Sequence, residues 1–483
     1  MIEPPASGTG LTRRNVLFAG LAAGAGVFGI PRRVWSGPAA ETRVVGPLRD
    51  SVMKGPLVWD VRALGYESQE YLVSGFADVL RPVSMADAPS IFSRNSTADF
   101  AVRDFKLHLI SPARPYTTRL VVYRPRDLRK FSGRVIVETL HPFGGGRGLL
   151  WNAVHSFFMA NGDAYIGVQH PLTFPALRSE DSARYGTLRS SDPTQLWGML
   201  IDAGRLVKRG EVDSPLHGYA VERLLMTGYS FTGVATATFA NYYHDRARMP
   251  GGGNIFDAYL PMADAQYVRP LDVPVMRLNT QSDFNGFGGL HNRRPDDPRY
   301  RHYEVAGACH VAAAPPADAA VPPRIASLPT PAGQPKFSAD ACEKEFPAGA
   351  VSNDFPLYLF QESMFANMYA WLDAGAPPPH SRYIETTTDG AARLDVHGNA
   401  LGGVRYPEVS VPVARYGIDA TGDCVLFGYK VPFSQTACRR LYGSREHYLA
   451  RVHRAAGRLA RQRLLTEPGV DRLAAIAGAD ANF

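Results

Sequence analysis

The chain has 483 residues, 45% of them hydrophobic and 20% charged, which is ordinary for a globular protein and enough for one large core or two smaller ones. No internal stretch reaches the ~20 apolar residues of a membrane span. The formal charge of +7 comes from scattered basic residues with no Lys/Arg-rich run, so no nucleic-acid partner is expected from it.

Residues 1–40 form a segment of their own. Thr12-Arg13-Arg14-Asn15-Val16-Leu17 precedes a mildly apolar, Gly/Ala-rich run from Phe18 to Ile30. Paired arginines before such a stretch resemble a twin-arginine signal, which hands folded proteins to the Tat export machinery of bacteria. The bland alternative is an amphipathic or disordered tail. Gly37-Pro38-Ala39-Ala40 is a poor small-x-small site. Cleavage to a periplasmic or secreted protein and retention as an anchor therefore both stay open.

Beyond the leader, strand-like and helix-like segments alternate. Asp104–Ile110 and Thr118–Tyr123 read as two short strands that could pair. Arg134–Glu138 reads as a strand, Trp151–Ala160 as a helix, and Ala164–Val168 as a strand. Gln195–Val207 follows with apolar residues at helical spacing. Leu224–Thr227 enters a tight turn, which Val234–Tyr243 leaves as a helix. Ala258–Leu260, Val273–Leu278 and Tyr303–Val305 complete the series. Buried strands alternating with helices predict an α/β fold, with a mainly parallel central sheet flanked by helices.

Four divisions follow: N-terminal strands to residue 130, a core at 131–311, a Pro/Ala-rich insertion at 312–350, and C-terminal helices and covering loops at 351–483. The insertion reads as a long surface loop. Phe355–Leu372 and the basic Leu441–Leu465 read as helices, and Thr386–Tyr416 as an excursion over the surface.

Chemistry concentrates at Leu224-Leu225-Met226-Thr227-Gly228-Tyr229-Ser230-Phe231-Thr232-Gly233. A strand entering Gly-x-Ser-x-x-Gly and leaving as a small-residue helix has the context of a nucleophile elbow. Thr232 departs from the commoner form, which has glycine there. A nucleophilic serine needs a base, and the base needs an acid to orient it. Asp283 falls just past the strand Val273–Leu278, and His310 follows the next one. Asp264, one strand earlier, remains an alternative acid. The oxyanion hole is expected from the N–H of Phe231 and from the loop His141-Pro142-Phe143-Gly144-Gly145-Gly146, whose glycines let amides approach a substrate oxygen. His141, Gly144 and Gly145 are the candidates there.

The four cysteines, Cys309, Cys342, Cys424 and Cys438, show no metal-binding spacing. Sequence order suggests Cys309–Cys342 and Cys424–Cys438, out of three connectivities, with buried thiols as the alternative. The first pair would brace the His310 loop.

Further segments extend the pattern: Glu70–Ala77, Thr118–Pro125, Phe131–Glu138, Tyr165–Val168, Ala306–His310 and Gly398–Pro407. With the elbow, they resemble the bacterial family of "alpha/beta hydrolase domain" proteins across most of residues 43–465. The resemblance implies an α/β-hydrolase fold with long surface insertions and a serine esterase that uses no metal or cofactor. It also implies a pocket role for Gly398–Pro407. Members often carry Leu-Asn where this chain has Leu140-His141, and Glu-Thr-Asp where it has Gln281-Ser282-Asp283. Substrates would be small-molecule or polymeric esters. Lactone or polyester cleavage and acyl transfer use the same three side chains, and a non-catalytic binding protein could share the scaffold.

Overall fold

The computed structural model describes residues 42–49, 61–83, 105–143, 146–286, 289–311, 342–419, 424 and 426–479. The leader at 1–40, Gly144 and Gly145, and residues 312–341 of the insertion lie outside the described residues. The described elements belong to one unit, Gly37–Phe483.

The middle strands are buried on both faces, with polar residues among their apolar ones. They are β4 (Arg134–Leu140), β5 (Ala164–Gln169), β6 (Arg223–Tyr229), β7 (Ala258–Met262), β8 (Val275–Thr280) and β9 (Tyr300–Val305). With β1 (Arg43–Val45), β2 (Tyr66–Pro82) and β3 (Leu107–Pro125) they make a nine-stranded sheet of order β1-β2-β3-β5-β4-β6-β7-β8-β9. The run from β5 to β9 is parallel, and β1 to β3 add on antiparallel, β3 against β5. Helices α1 (Leu149–Ala160), α2 (Leu196–Arg209), α3 (Phe231–Thr238) and α4 (Leu357–Ala374) accompany it. This is the expected α/β-hydrolase architecture. A small antiparallel sheet joins β10 (Val351–Ser352), β12 (Tyr429–Pro432) and β11 (Ala414–Gly417), in that order.

Two expectations need correction. Residues 104–110 and 118–123 do not pair with each other: residues 107–125 are one long strand, paired along its length with β2. Pro112 and Pro115 suggest a break, but the strand absorbs them. The register shifts between Ala77 and Val79, and Ala113, at φ 41°, donates its N–H to Asp78 Oδ1 at 2.8 Å. The expected helix Leu441–Leu465 is also not continuous. It divides into Gln435–Tyr442 and Arg445–Arg461, parted at Gly443 with φ 78°. Ser444 caps the second piece by accepting the N–H of His447.

The topology marks one place on the sheet. From β4 the chain steps to β5 on one side, then returns to β6 on the other and continues to β9. Strand order reverses there, so the carboxyl ends of β4 and β6 flank the crevice where open α/β sheets take ligands.

Candidate active site

β6 ends at Tyr229 and α3 begins at Phe231, leaving Ser230 alone to turn the chain. Its φ of 60° and ψ of −128° lie where residues with a Cβ rarely go. Its N–H donates to Met262 O at 3.0 Å, tying the turn to the end of β7. The flanking residues must be small. A Cβ on Gly228 would lie 2.1 Å from Thr232 O, and one on Gly233 would lie 2.2 Å from Met262 O. Thr232 needs no such smallness. Its buried hydroxyl receives the Tyr229 N–H at 3.1 Å and donates to Tyr229 O at 2.9 Å, closing the turn from within.

Three side chains from three strand ends meet in a row. Ser230 Oγ lies 2.6 Å from His310 Nε2, and His310 Nδ1 lies 2.6 Å from Asp283 Oδ1. A carboxylate oxygen can only accept, so Nδ1 carries the proton and Nε2 is left to accept from the serine hydroxyl. Asp283 Oδ2 takes both the N–H and the hydroxyl of Thr280 at 2.7 Å each, which fixes the carboxylate. Asp264 is not in this row. It is fully buried after β7 and holds Arg277 Nη2 through both oxygens, at 2.9 and 3.1 Å.

The loop that carries His310 is held from several sides. Gly307 turns at φ 84° and donates its N–H to Gln281 Oε1 at 2.8 Å, and its carbonyl accepts from Asn353 at 2.9 Å. Tyr229 Oη donates to the His310 carbonyl at 2.7 Å, and the Val311 N–H reaches Leu426 O at 2.9 Å. Residues 382–404 lie along β9, bridging Tyr303 to Arg382 and Val305 to Val404.

The disulfide corrects the expected pairing. Cys342 bonds Cys424 across 82 residues of sequence, while Cys309 and Cys438 are buried and outside that bridge. Pairing by sequence order fails because the chain returns late to the His310 loop. Cys424 sits two residues before the Leu426 that holds Val311. Burial pushes the Cys309 thiol up to about 12.

At the end of β4, the His141 N–H donates to Arg147 O at 2.7 Å, and its carbonyl accepts the Gly146 N–H at 3.0 Å. Glu138, wholly buried, anchors the far side of this loop. It accepts the N–H groups of Leu150 and Trp151 at 2.9 and 3.1 Å and the Tyr165 hydroxyl at 2.8 Å. Burial lifts its carboxyl to about 7 against the pull of those donors. The Phe143 and Phe231 rings meet edge to face at 5.0 Å, and His141 lies 5.9 Å from each. His170, after β5, lies 5.5 Å from the Phe231 ring. Burial lowers His141 to about 3, with His310 as the second cause, and His170 to about 3, with His141 as the second. Sequence reasoning did not single out His170 or Glu138. Position alone could have found His170, since it directly follows a strand at the switch point.

Among the described residues, no group of three His, Cys, Asp or Glu is placed to hold a metal ion, and no helix is long and apolar enough to cross a membrane.

Comparison with known proteins adds the family. Among solved structures, the chain is similar to an alpha-beta serine hydrolase homologue from Coxiella burnetii, at 12% identity and a TM-score of 0.25, covering 40% of this chain and 84% of that one. It is similar to the LpqC poly(3-hydroxybutyrate) depolymerase of Bordetella parapertussis at 10% identity and a TM-score of 0.25, over 37% and 71% of the two chains. It is similar to EstA of Aspergillus niger at 11% identity and a TM-score of 0.20, over 30% of this chain and 26% of that one. No curated protein matches. The family model described as "Alpha/beta hydrolase domain" matches residues 35–475, and the chain therefore belongs to that family.

Proposed function

We propose that this protein hydrolyses carboxylic esters through an acyl-enzyme on Ser230. The observation that carries the reading is the row Ser230–His310–Asp283, hydrogen-bonded at 2.6 Å per step beside the crevice where strand order reverses. Ser230 Oγ attacks the ester carbonyl while His310 Nε2 takes its proton. The imidazolium, steadied by Asp283, then returns that proton to the leaving alcohol. Water, activated by the same nitrogen, releases the acid. The N–H of Phe231, first in α3, offers one donor to the tetrahedral oxygen, and the loop after β4 is the source of the second.

The working division is a leader at 1–40 and a hydrolase domain at 41–483, with delivery to the periplasm or beyond by twin-arginine export. Arg13-Arg14 supports this route, and so does the Cys342–Cys424 bond, since disulfides persist in oxidising compartments.

The test is hydrolysis of a p-nitrophenyl ester chain-length series by wild type and Ser230→Ala. Turnover should fall by about 10⁴-fold or more in the variant, and a serine-directed phosphonate should label wild type only. Activity that survives in Ser230→Ala defeats the assignment. Wild type that neither turns over nor labels defeats the enzyme reading altogether.

A further inference from the structure

Sheet register brings a second histidine to the reactive serine. Glu138 pairs with Thr227 across β4 and β6, so three residues further along the two chains stand His141 and Ser230. Leu140 pairs with Gln169 across β4 and β5, which puts His141 beside His170. A row His170, His141, Ser230 therefore crosses the carboxyl edge of three neighbouring strands.

His141 is only 7% exposed, and among the described residues neither of its ring nitrogens has a hydrogen-bond partner. Buried polar groups are nearly always paired, and an unpaired one is costly to the fold. The described surroundings supply no remedy. The ring faces Phe143 and Phe231, the charged group acting on it is the His310 imidazole, and His141 in turn acts on His170. Meanwhile its main chain is committed at both ends, the N–H to Arg147 and the carbonyl to Gly146. What His141 has left to offer is its side chain, on the strand end that neighbours the one carrying Ser230.

We propose that the His141 imidazole is the second oxyanion donor, giving its N–H to the ester's carbonyl oxygen as that oxygen becomes negative. This rests on the esterase reading above and specifies one of its parts. Because burial keeps the ring neutral down to about pH 3, it donates without competing for the serine's proton. A neutral donor also leaves no buried positive charge to be compensated before the oxyanion forms.

Two variants and one spectrum test it. His141→Leu should lower kcat about 10²- to 10³-fold with KM changed no more than a few-fold, the pattern of an interaction made in the transition state. His141→Asn, which keeps a neutral N–H donor, should recover to within about tenfold of wild type. A folded Leu variant with near-wild-type kcat overturns the proposal. So does an Asn variant as impaired as the Leu one, since the loss would then follow from shape. In case the Leu variant does not fold, wild type labelled with ¹⁵N-histidine can be followed by NMR before and after phosphonate modification. The adduct carries an oxygen at the oxyanion position, so a His141 N–H resonance should move downfield and resist exchange. An unmoved resonance in a fully labelled protein overturns this inference while leaving Ser230 as nucleophile. Failure to label Ser230 at all overturns both.

Discussion

Asp264 follows β7 and Asp283 follows β8, so two buried carboxylates stand at the ends of adjacent strands. Asp264 gives both oxygens to Arg277, which is itself fully buried. Asp283 gives one oxygen to Thr280 and turns the other to His310, whose far nitrogen meets Ser230. Depth and residue type are the same, and the partner makes the difference. A buried carboxylate matched by a fixed guanidinium has nothing left to offer, whereas one matched by an imidazole at the crevice passes its influence to a third atom. In β8 and β9, Arg277 has Asp264, Asn279 has His302 and Glu304 has Arg293. At the end of β4, the ring of His141 has no hydrogen-bond partner among the described residues.

Substitution should pull the two aspartates apart. Asp283→Asn is expected to lower kcat by about 10⁴-fold in a protein that still folds, because the imidazole loses the group that fixes its proton on Nδ1. Asp264→Asn should leave turnover per folded molecule nearly intact while removing about 3–5 kcal/mol of stability, because Arg277 remains buried and uncompensated. Urea unfolding and ester kinetics on both variants decide it. If Asp264→Asn silences the folded enzyme, the two carboxylates are not the separate devices described above.

Titration sharpens the contrast between paired and offered groups. Folded His141 stays neutral to about pH 3, but an unfolded histidine takes a proton below about pH 6.5. The unfolded state therefore binds the extra proton as pH falls through that window, and wild type loses stability relative to His141→Asn. The difference should be about 2 kcal/mol between pH 6.5 and pH 5, at about 1.4 kcal/mol per pH unit. Comparing the two proteins cancels the opposing contribution of Glu138, whose raised carboxyl favours the folded state on the acid side of 7. Equal slopes for the two proteins would mean that His141 is not held neutral.

The smallest effect concerns a fully paired group. Thr232→Val keeps the volume and removes the hydroxyl that closes the elbow on Tyr229. A loss of about 1–2 kcal/mol in thermal or urea unfolding is expected, with Ser230 still reactive to a phosphonate. A variant that folds but does not label would give Thr232 a part in aiming the serine.

Much of the sheet was legible because β4, β5 and β6 each contain a short apolar run, at residues 135–137, 164–168 and 224–226, and are followed by turns. The elbow was legible because smallness at 228 and 233 is a steric demand that composition records. Asp283 and His310 could be nominated by their places after successive strands, and the three side chains lie in one hydrogen-bonded row. What stayed hidden depends on partners distant in sequence. β3 looked like two strands because Pro112 and Pro115 suggest a break, and the bulge opposite Asp78 that accommodates them is not local information. β8 and β9 extend beyond their expected bounds through Thr280 and from Tyr300, over polar residues whose partners lie elsewhere in the chain. The fit of Thr232 rests on a hydrogen bond back to Tyr229, and the cysteine pairing on a chain return 82 residues long.

The seat of His310 has a consequence for the order in which the molecule is made. Ser230, its glycines and the strand beneath them emerge early in synthesis, but the groups that grip the histidine loop, Asn353 and Leu426, come much later. A ribosome-bound chain that has finished the elbow thus holds a serine without a settled base. On the reading proposed above, the protein does not gain its power over esters gradually. It gains it near the end of translation, when the last third of the chain folds back to hold a loop completed long before.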